Sequence, residues 1–235
     1  MKIKFHFLYL PAFLALLFLG QELHDWAHFI AAEIFCGCWG SKGFDSWTIC
    51  DHCAITKDIG VFIFFAGPFA TYIIIWSAWW LMSHNHTGKQ RSAGFALLFA
   101  AIPFVRILAA MAGGGDETRC LRELFQNADG SNRHIVALAG LFFVCLLTIP
   151  ALLRAFILLP GLREKVFLFP IFLVVPMYVH QWILKGLMTK LLERGFLNNE
   201  VFPGIPILVI AWAFLWIMVL WLTYKNLLNF FEKAV

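Results

Sequence analysis

Apolar runs long enough to cross a bilayer recur along this 235-residue chain, and no other feature limits its fold as severely. A run of about 18 or more apolar residues with few charges reads as a transmembrane helix, because in lipid each backbone N–H and C=O must be satisfied within the segment. Such runs cover about Phe5 to Phe35, Ile59 to Met82, Ala93 to Met111, Ile135 to Leu159, Val166 to Leu187 and Pro206 to Thr223. The expected fold class is an all-α membrane protein of about six transmembrane helices. Composition agrees, with 61% of residues hydrophobic, 14% charged and a mean hydropathy of +0.79. The 26 Phe and 10 Trp are expected at the lipid surface and in interfacial belts.

Six spans put both ends of the sequence on one side of the membrane, so Lys and Arg counts should orient it. They tie, at eight on each side. The net charge of +4 is small and dispersed, which excludes nucleic acid as a partner and leaves membrane lipids and other membrane polypeptides. Met1 to Gly20 has the outline of a signal peptide. The apolar run continues past Gly20 without a small-x-small site, so no cleavage is expected there.

One stretch breaks the apolar pattern. Gln21, His24, Asp25 and His28 lie in the second half of the first helix, within an arc of about 100° on one face. Polar and ionisable groups are costly in lipid and normally face the bundle interior at a functional site. Histidines at i and i+4 stack on a helix, the spacing that lets two imidazoles hold one zinc ion. A carboxylate beside the first histidine can act as general base, which makes Asp25 the candidate catalytic residue and His24 and His28 candidate metal ligands.

The loop that follows carries Cys36, Cys38, Cys50 and Cys53. A C-x-C and a C-x-x-C a dozen residues apart suit a second, structural metal site, two disulfides or free thiols, and the spacing alone leaves all three open. Between the pairs, Phe44 to Ile49 alternates as a short strand would. Within the third helix, Arg106 is expected to pair with Glu22, Glu33 or Asp25. His180 and Lys185 read as polar contacts inside the bundle or groups reaching the interface.

His24-Asp25-Trp26-Ala27-His28 in the first helix and Ala66-Gly67-Pro68-Phe69-Ala70-Thr71 in the second carry a resemblance to the site-2 protease family of intramembrane zinc metalloproteases. That family has His-Glu-x-x-His, Ala-Gly-Pro-x-x-Asn and, on a later helix, Asn-x-x-Pro and Asp-Gly; Pro103 and Asp116 stand nearest the last two. The resemblance covers about residues 1–117. It implies a metalloprotease-like three-helix core over 1–117 with a Cys-rich loop at 36–53; beyond it, the sequence itself reads as an interfacial helix and loop at 118–132 and three further transmembrane helices over 133–235. The resemblance also implies a Zn2+ cofactor held by His24, His28 and Asp116, and substrate positioning by Gly67, Pro68 and Thr71. Asp25 stands where the family has Glu, Thr71 where it has Asn, and Glu117 follows Asp116 in place of Gly.

Topology supports Asp116 independently, since the end of the third helix lies on the same side of the membrane as the end of the first. Gly113-Gly114-Gly115-Asp116 before an amphipathic stretch is also an N-cap signature, so both readings of Asp116 stand. The expected activity is intramembrane proteolysis by a zinc metallopeptidase acting on a membrane-anchored polypeptide substrate. The competing expectation is a relative that keeps metal, cuts weakly or not at all, and serves as a structural subunit of a membrane complex. A di-iron oxygenase is a third reading, for which His84-Asn85-His86 is a poor second histidine box.

Overall fold

The computed structural model describes residues 2–3, 5–53, 57–125 and 131–232. Its frame is a bundle of long helices. In chain order come β1 (Lys2–Ile3), α1 (Tyr9–Cys36), β2 (Lys42–Gly43), β3 (Ser46–Trp47), α2 (Lys57–Leu81), α3 (Gly88–Ala100), α4 (Pro103–Met111) and α5 (Asp116–Leu124). Then follow α6 (Ser131–Leu158), α7 (Phe169–Gln181), α8 (Thr189–Glu193), β4 (Glu200–Phe202), β5 (Ile205–Pro206), α9 (Ile207–Leu227) and β6 (Phe231–Glu232). Short π-helical segments, Glu164–Leu168 and Trp182–Met188, join α7 to its neighbours in one helical run.

Among the described residues, five runs are long and apolar enough to cross a membrane: Ile59–Leu81, Gly88–Met111, Arg133–Leu158, Glu164–Glu193 and Ile207–Leu227. The 28-residue α1 is long enough as well, at about 1.5 Å per residue against a hydrocarbon core of about 30 Å. Its polar half lowers its hydropathy, and that half turns inward: Glu22, Asp25 and His28 are all buried. The protein is a multi-pass integral membrane protein of the all-α class. Outward-facing Phe142, Ile157, Trp182, Phe214 and Trp221 supply the lipid surface.

Helix α1 is the axis, packing along both α2 and α9. Around its first half, Tyr9, Phe13, Phe95, Phe99, Phe172 and Phe230 form an aromatic core. Next to them β1 pairs antiparallel with β6, Lys2 opposite Glu232 and Ile3 opposite Phe231, which sets the two ends of the described chain on one side. Around its second half, Phe18, Phe29, Phe44, Leu184, Val209 and Trp212 form another core. The polar site opens beside it.

Several boundaries differ from those expected. The first helix begins at Tyr9, four residues later than Phe5. The third membrane segment is not one helix: it breaks at Ile102, whose φ of 45° and ψ of 55° are left-handed, and resumes with Pro103 as the first residue of α4. Proline has no N–H for the preceding turn and pushes the residue before it out of the right-handed helical region. A left-handed β-branched residue is strained, and beyond the break α4 packs against α6 and α7 while its Arg106 reaches His24 of α1. The interfacial helix starts at Asp116 where Thr118 was expected, because Gly115 with φ 84° turns the chain and takes the N-cap position. Residues 126–130 of the segment expected at 118–132 lie outside the described residues. The run expected at Val166 to Leu187 extends over Glu164–Glu193.

The loop cysteines pair as disulfides, Cys36 with Cys53 and Cys38 with Cys50. Between them, in place of the single strand expected over Phe44 to Ile49, lies a small hairpin, β2 against β3, with Lys42 opposite Trp47 and Phe44 and Asp45 in the turn. Buried Lys42 anchors it to α1 through an ion pair with buried Glu22, Nζ to Oε2 2.7 Å. Leaving either charge alone there would cost several kcal/mol, roughly 3–5, so the pair ties the hairpin to the helix.

Candidate metal centre

Three side chains from three separated positions converge. His24 and His28 stack one turn apart on α1, Nε2 to Nε2 3.2 Å. Asp116, the first residue of α5, brings Oδ2 to 3.2 Å from His24 Nε2 and 3.5 Å from His28 Nε2. A tetrahedral zinc ion with bonds of about 2.0–2.1 Å holds its ligand atoms about 3.3 Å apart, so the triangle already has the required size. Two imidazole nitrogens and one carboxylate oxygen are also the donor set that catalytic zinc favours while keeping a position open. The group fits.

Each histidine is held by its other nitrogen. His28 Nδ1 donates to the carbonyl of Ile63 at 2.7 Å, which leaves Nε2 with its lone pair toward the cluster. Trp47 of β3 stacks on the same ring at 4.6 Å. His24 Nδ1 meets Arg106 Nη2 at 2.8 Å and Thr71 Oγ1 at 3.1 Å. A guanidinium only donates, so it meets Nδ1 as an acceptor and the ring proton sits on Nε2, between Asp116 and His28. For Nε2 to ligate, the proton must move to Nδ1. Thr71 Oγ1 is placed to accept it, since its own hydroxyl donates to the Gly67 carbonyl at 3.2 Å.

Gly67 is required by this packing. A Cβ there would run into the ring of His28 and lie 2.6 Å from His24 Cε1. Neither Gly67, Pro68 nor Thr71 lines the cavity that reaches the cluster. Gly67 makes room for the imidazoles and Thr71 holds one of them, while Pro68 lies buried inside α2.

Arg106 does not pair with Glu22, Glu33 or Asp25 as expected. Its Nη1 donates to Glu117 Oε1 at 2.8 Å, and Tyr72 donates its hydroxyl to the same oxygen at 2.8 Å. Glu22 is already taken by Lys42, whereas the turn through Gly113–Gly115 folds Glu117 back under α4. That glycine run between two charged residues was the available signal. Asp116 has a carboxyl that burial alone would raise. Contacts with His24 and His28, the His24 hydrogen bond foremost, outweigh burial and hold it well below the usual carboxylate range.

A cavity of about 510 Å³ opens over the cluster. His24, Asp25, Trp47, Arg106, Asp116 and His180 are among its lining residues, and so are Ser46 to Ile49 of the hairpin. Asp25 is 6% exposed and makes no hydrogen bond among the described residues. His84 and His86 lie in the turn between α2 and α3, at the other end of those helices, and contribute nothing to the cluster.

Fold and site together define a multi-pass helical membrane protein with a His-His-Asp cluster that could hold a metal ion. Compared with family models, curated proteins and solved structures, the chain matches none.

Proposed function

We propose that the chain is a zinc metallopeptidase that cuts membrane-anchored polypeptides inside or at the edge of the bilayer. One observation carries the proposal: a ligand triangle of 3.2, 3.2 and 3.5 Å opens on a cavity that also holds the hydrogen-bond-free carboxylate of Asp25. His24, His28 and Asp116 would hold the ion. Bound zinc supplies the Lewis acidity that makes water nucleophilic near neutral pH. Asp25 accepts a proton from water in the cavity and passes it to the departing amine. Strand β3 pairs with β2 along one edge and lines the cavity with Ser46 and Trp47. A substrate added as an extended strand along its other edge would present its backbone to Asp25.

The test is metal content and cleavage measured on the same preparation. About one zinc per chain is expected by elemental analysis, lost on His24→Ala or His28→Ala, with cleavage of a single-span substrate lost in parallel. Metal content unaffected by both substitutions would sink the site.

A second reading has an observation of its own. Arg106 sits 2.8 Å from His24 Nδ1, and an arginine that stays there keeps the ring proton on the atom that must bind metal. A structural subunit of a membrane complex, without proteolysis, tolerates that arrangement; a peptidase must displace it. Wild-type protein that holds no zinc and cleaves no peptide would select this second reading.

A further inference from the structure

His180 belongs to α7, outside the three-helix segment that carries the metal cluster, yet it lines the same cavity as His24, Asp25 and Asp116. It is 3% exposed, its Nε2 is buried with no hydrogen-bond partner, and neither ring nitrogen makes a hydrogen bond among the described residues. Buried polar atoms are nearly always satisfied, so an orphaned imidazole facing a functional cavity needs an explanation. An accidental core histidine is a poor one. Its ring is braced against Phe18 at 6.4 Å, nearly parallel, and α7 passes straight into a π-helical turn at Trp182. Single π turns inside helices recur at functional sites, where they re-aim side chains.

Neutral donors on Gln21, Gln181 and Ser46 also line the cavity, but those side chains are half-buried or exposed, whereas His180 is buried and braced against Phe18. Thr71 is committed to His24 and Gly67, and Arg106 to Glu117, Thr71 and His24. Peptide hydrolysis puts negative charge on the carbonyl oxygen as the tetrahedral species forms, and a fixed N–H aimed at that oxygen stabilises it most in a water-poor site.

We propose that His180 is a further catalytic residue, its neutral imidazole N–H hydrogen-bonding the scissile carbonyl oxygen of the substrate. This rests on the peptidase reading above. Nδ1, which is not sealed from solvent as Nε2 is, would be the nitrogen that meets the substrate.

The test uses full-length protein in detergent, loaded with zinc, and three variants: His180→Ala, His180→Asn and His180→Phe. Phe fills the space against Phe18, and Asn keeps an N–H donor. Two probes are titrated by ligand-induced thermal shift: a capped hydrophobic phosphinic peptide, which carries the charged oxygen of the tetrahedral species, and acetohydroxamate, which binds through the metal alone. Affinity for the phosphinate is expected to fall about 10²-fold in the Ala and Phe variants, with part of it regained in the Asn variant, and kcat to fall about 10²–10³-fold with KM little changed. Zinc content and acetohydroxamate affinity stay as in the wild type. Phosphinate affinity and kcat unchanged in both the Ala and Phe variants overturn the role of His180. Wild-type protein that holds zinc, binds acetohydroxamate and ignores the phosphinate overturns the peptidase reading, and this proposal with it.

Discussion

Gly67 of α2 backs directly onto His28 of α1, so closely that a methyl group on Gly67 would occupy space held by the imidazole. The contact sets how near α2 comes to the metal-binding face, and therefore whether His24 and His28 can point their Nε2 atoms at one spot. Gly67→Ala is expected to fold, since it adds a single methyl in a helix that alanine favours. It should still displace the rings and lower zinc content at least tenfold. Elemental analysis beside circular dichroism separates loss of metal from loss of fold.

Asp25→Asn removes the only proton acceptor assigned to the reaction while leaving the ligands in place. Cleavage should drop by about 10²–10⁴-fold, the usual worth of a positioned general base. Asp25→Glu adds one methylene and should retain or raise the rate. Zinc content should not change in either variant, and turnover of a single-span substrate is the measurement.

Arg106 and Glu117 form a buried ion pair that also orients His24 and Tyr72. Removing one partner strands a charge in the bundle, so Arg106→Met should destabilise the protein by about 3–5 kcal/mol. Pairing it with Glu117→Leu should recover much of that loss, because no charge is then left alone. Thermal unfolding in detergent of the single and double variants checks the sign and the recovery.

The disulfides Cys36–Cys53 and Cys38–Cys50 break the tie that Lys and Arg counts leave in orientation. Disulfides persist in oxidising compartments, so the 36–53 loop and the metal cluster beside it are expected on the side away from the cytosol. A membrane-impermeant maleimide applied to sealed cells after mild reduction should label these four thiols. Cys120 should stay unlabelled at pH 8, since burial pushes its thiol up to about 12.

Asp116 links acidity to stability in the metal-free protein. Its carboxyl is depressed in the fold, so its contribution is present above the unfolded value of about 4 and is lost as pH falls through the lower folded value. Melting temperature should decline below about pH 4, and Asp116→Asn should flatten that decline. A scan of Tm against pH on chelator-treated protein reads the difference. Equal slopes for the two would mean that Asp116 is not held by the histidines.

Much of the site was legible before any coordinates. Helical spacing put His24, Asp25 and His28 on one face, and the parity of the spans put Asp116 at their level. The sequence alone determined the membrane class, the approximate spans and the shared face of His24, Asp25 and His28, because hydrophobic length and helical periodicity are local properties, and it left Asp116 between ligand and helix cap. It could not choose between disulfides and metal for the four cysteines, pair Arg106 with Glu117, or take Gly67 and Thr71 out of the cavity and set them behind the imidazoles. Nor could it find the break at Ile102 or the orphaned nitrogen of His180. Those features depend on which helix faces lie against one another and at what distance, and only the packed bundle decides that.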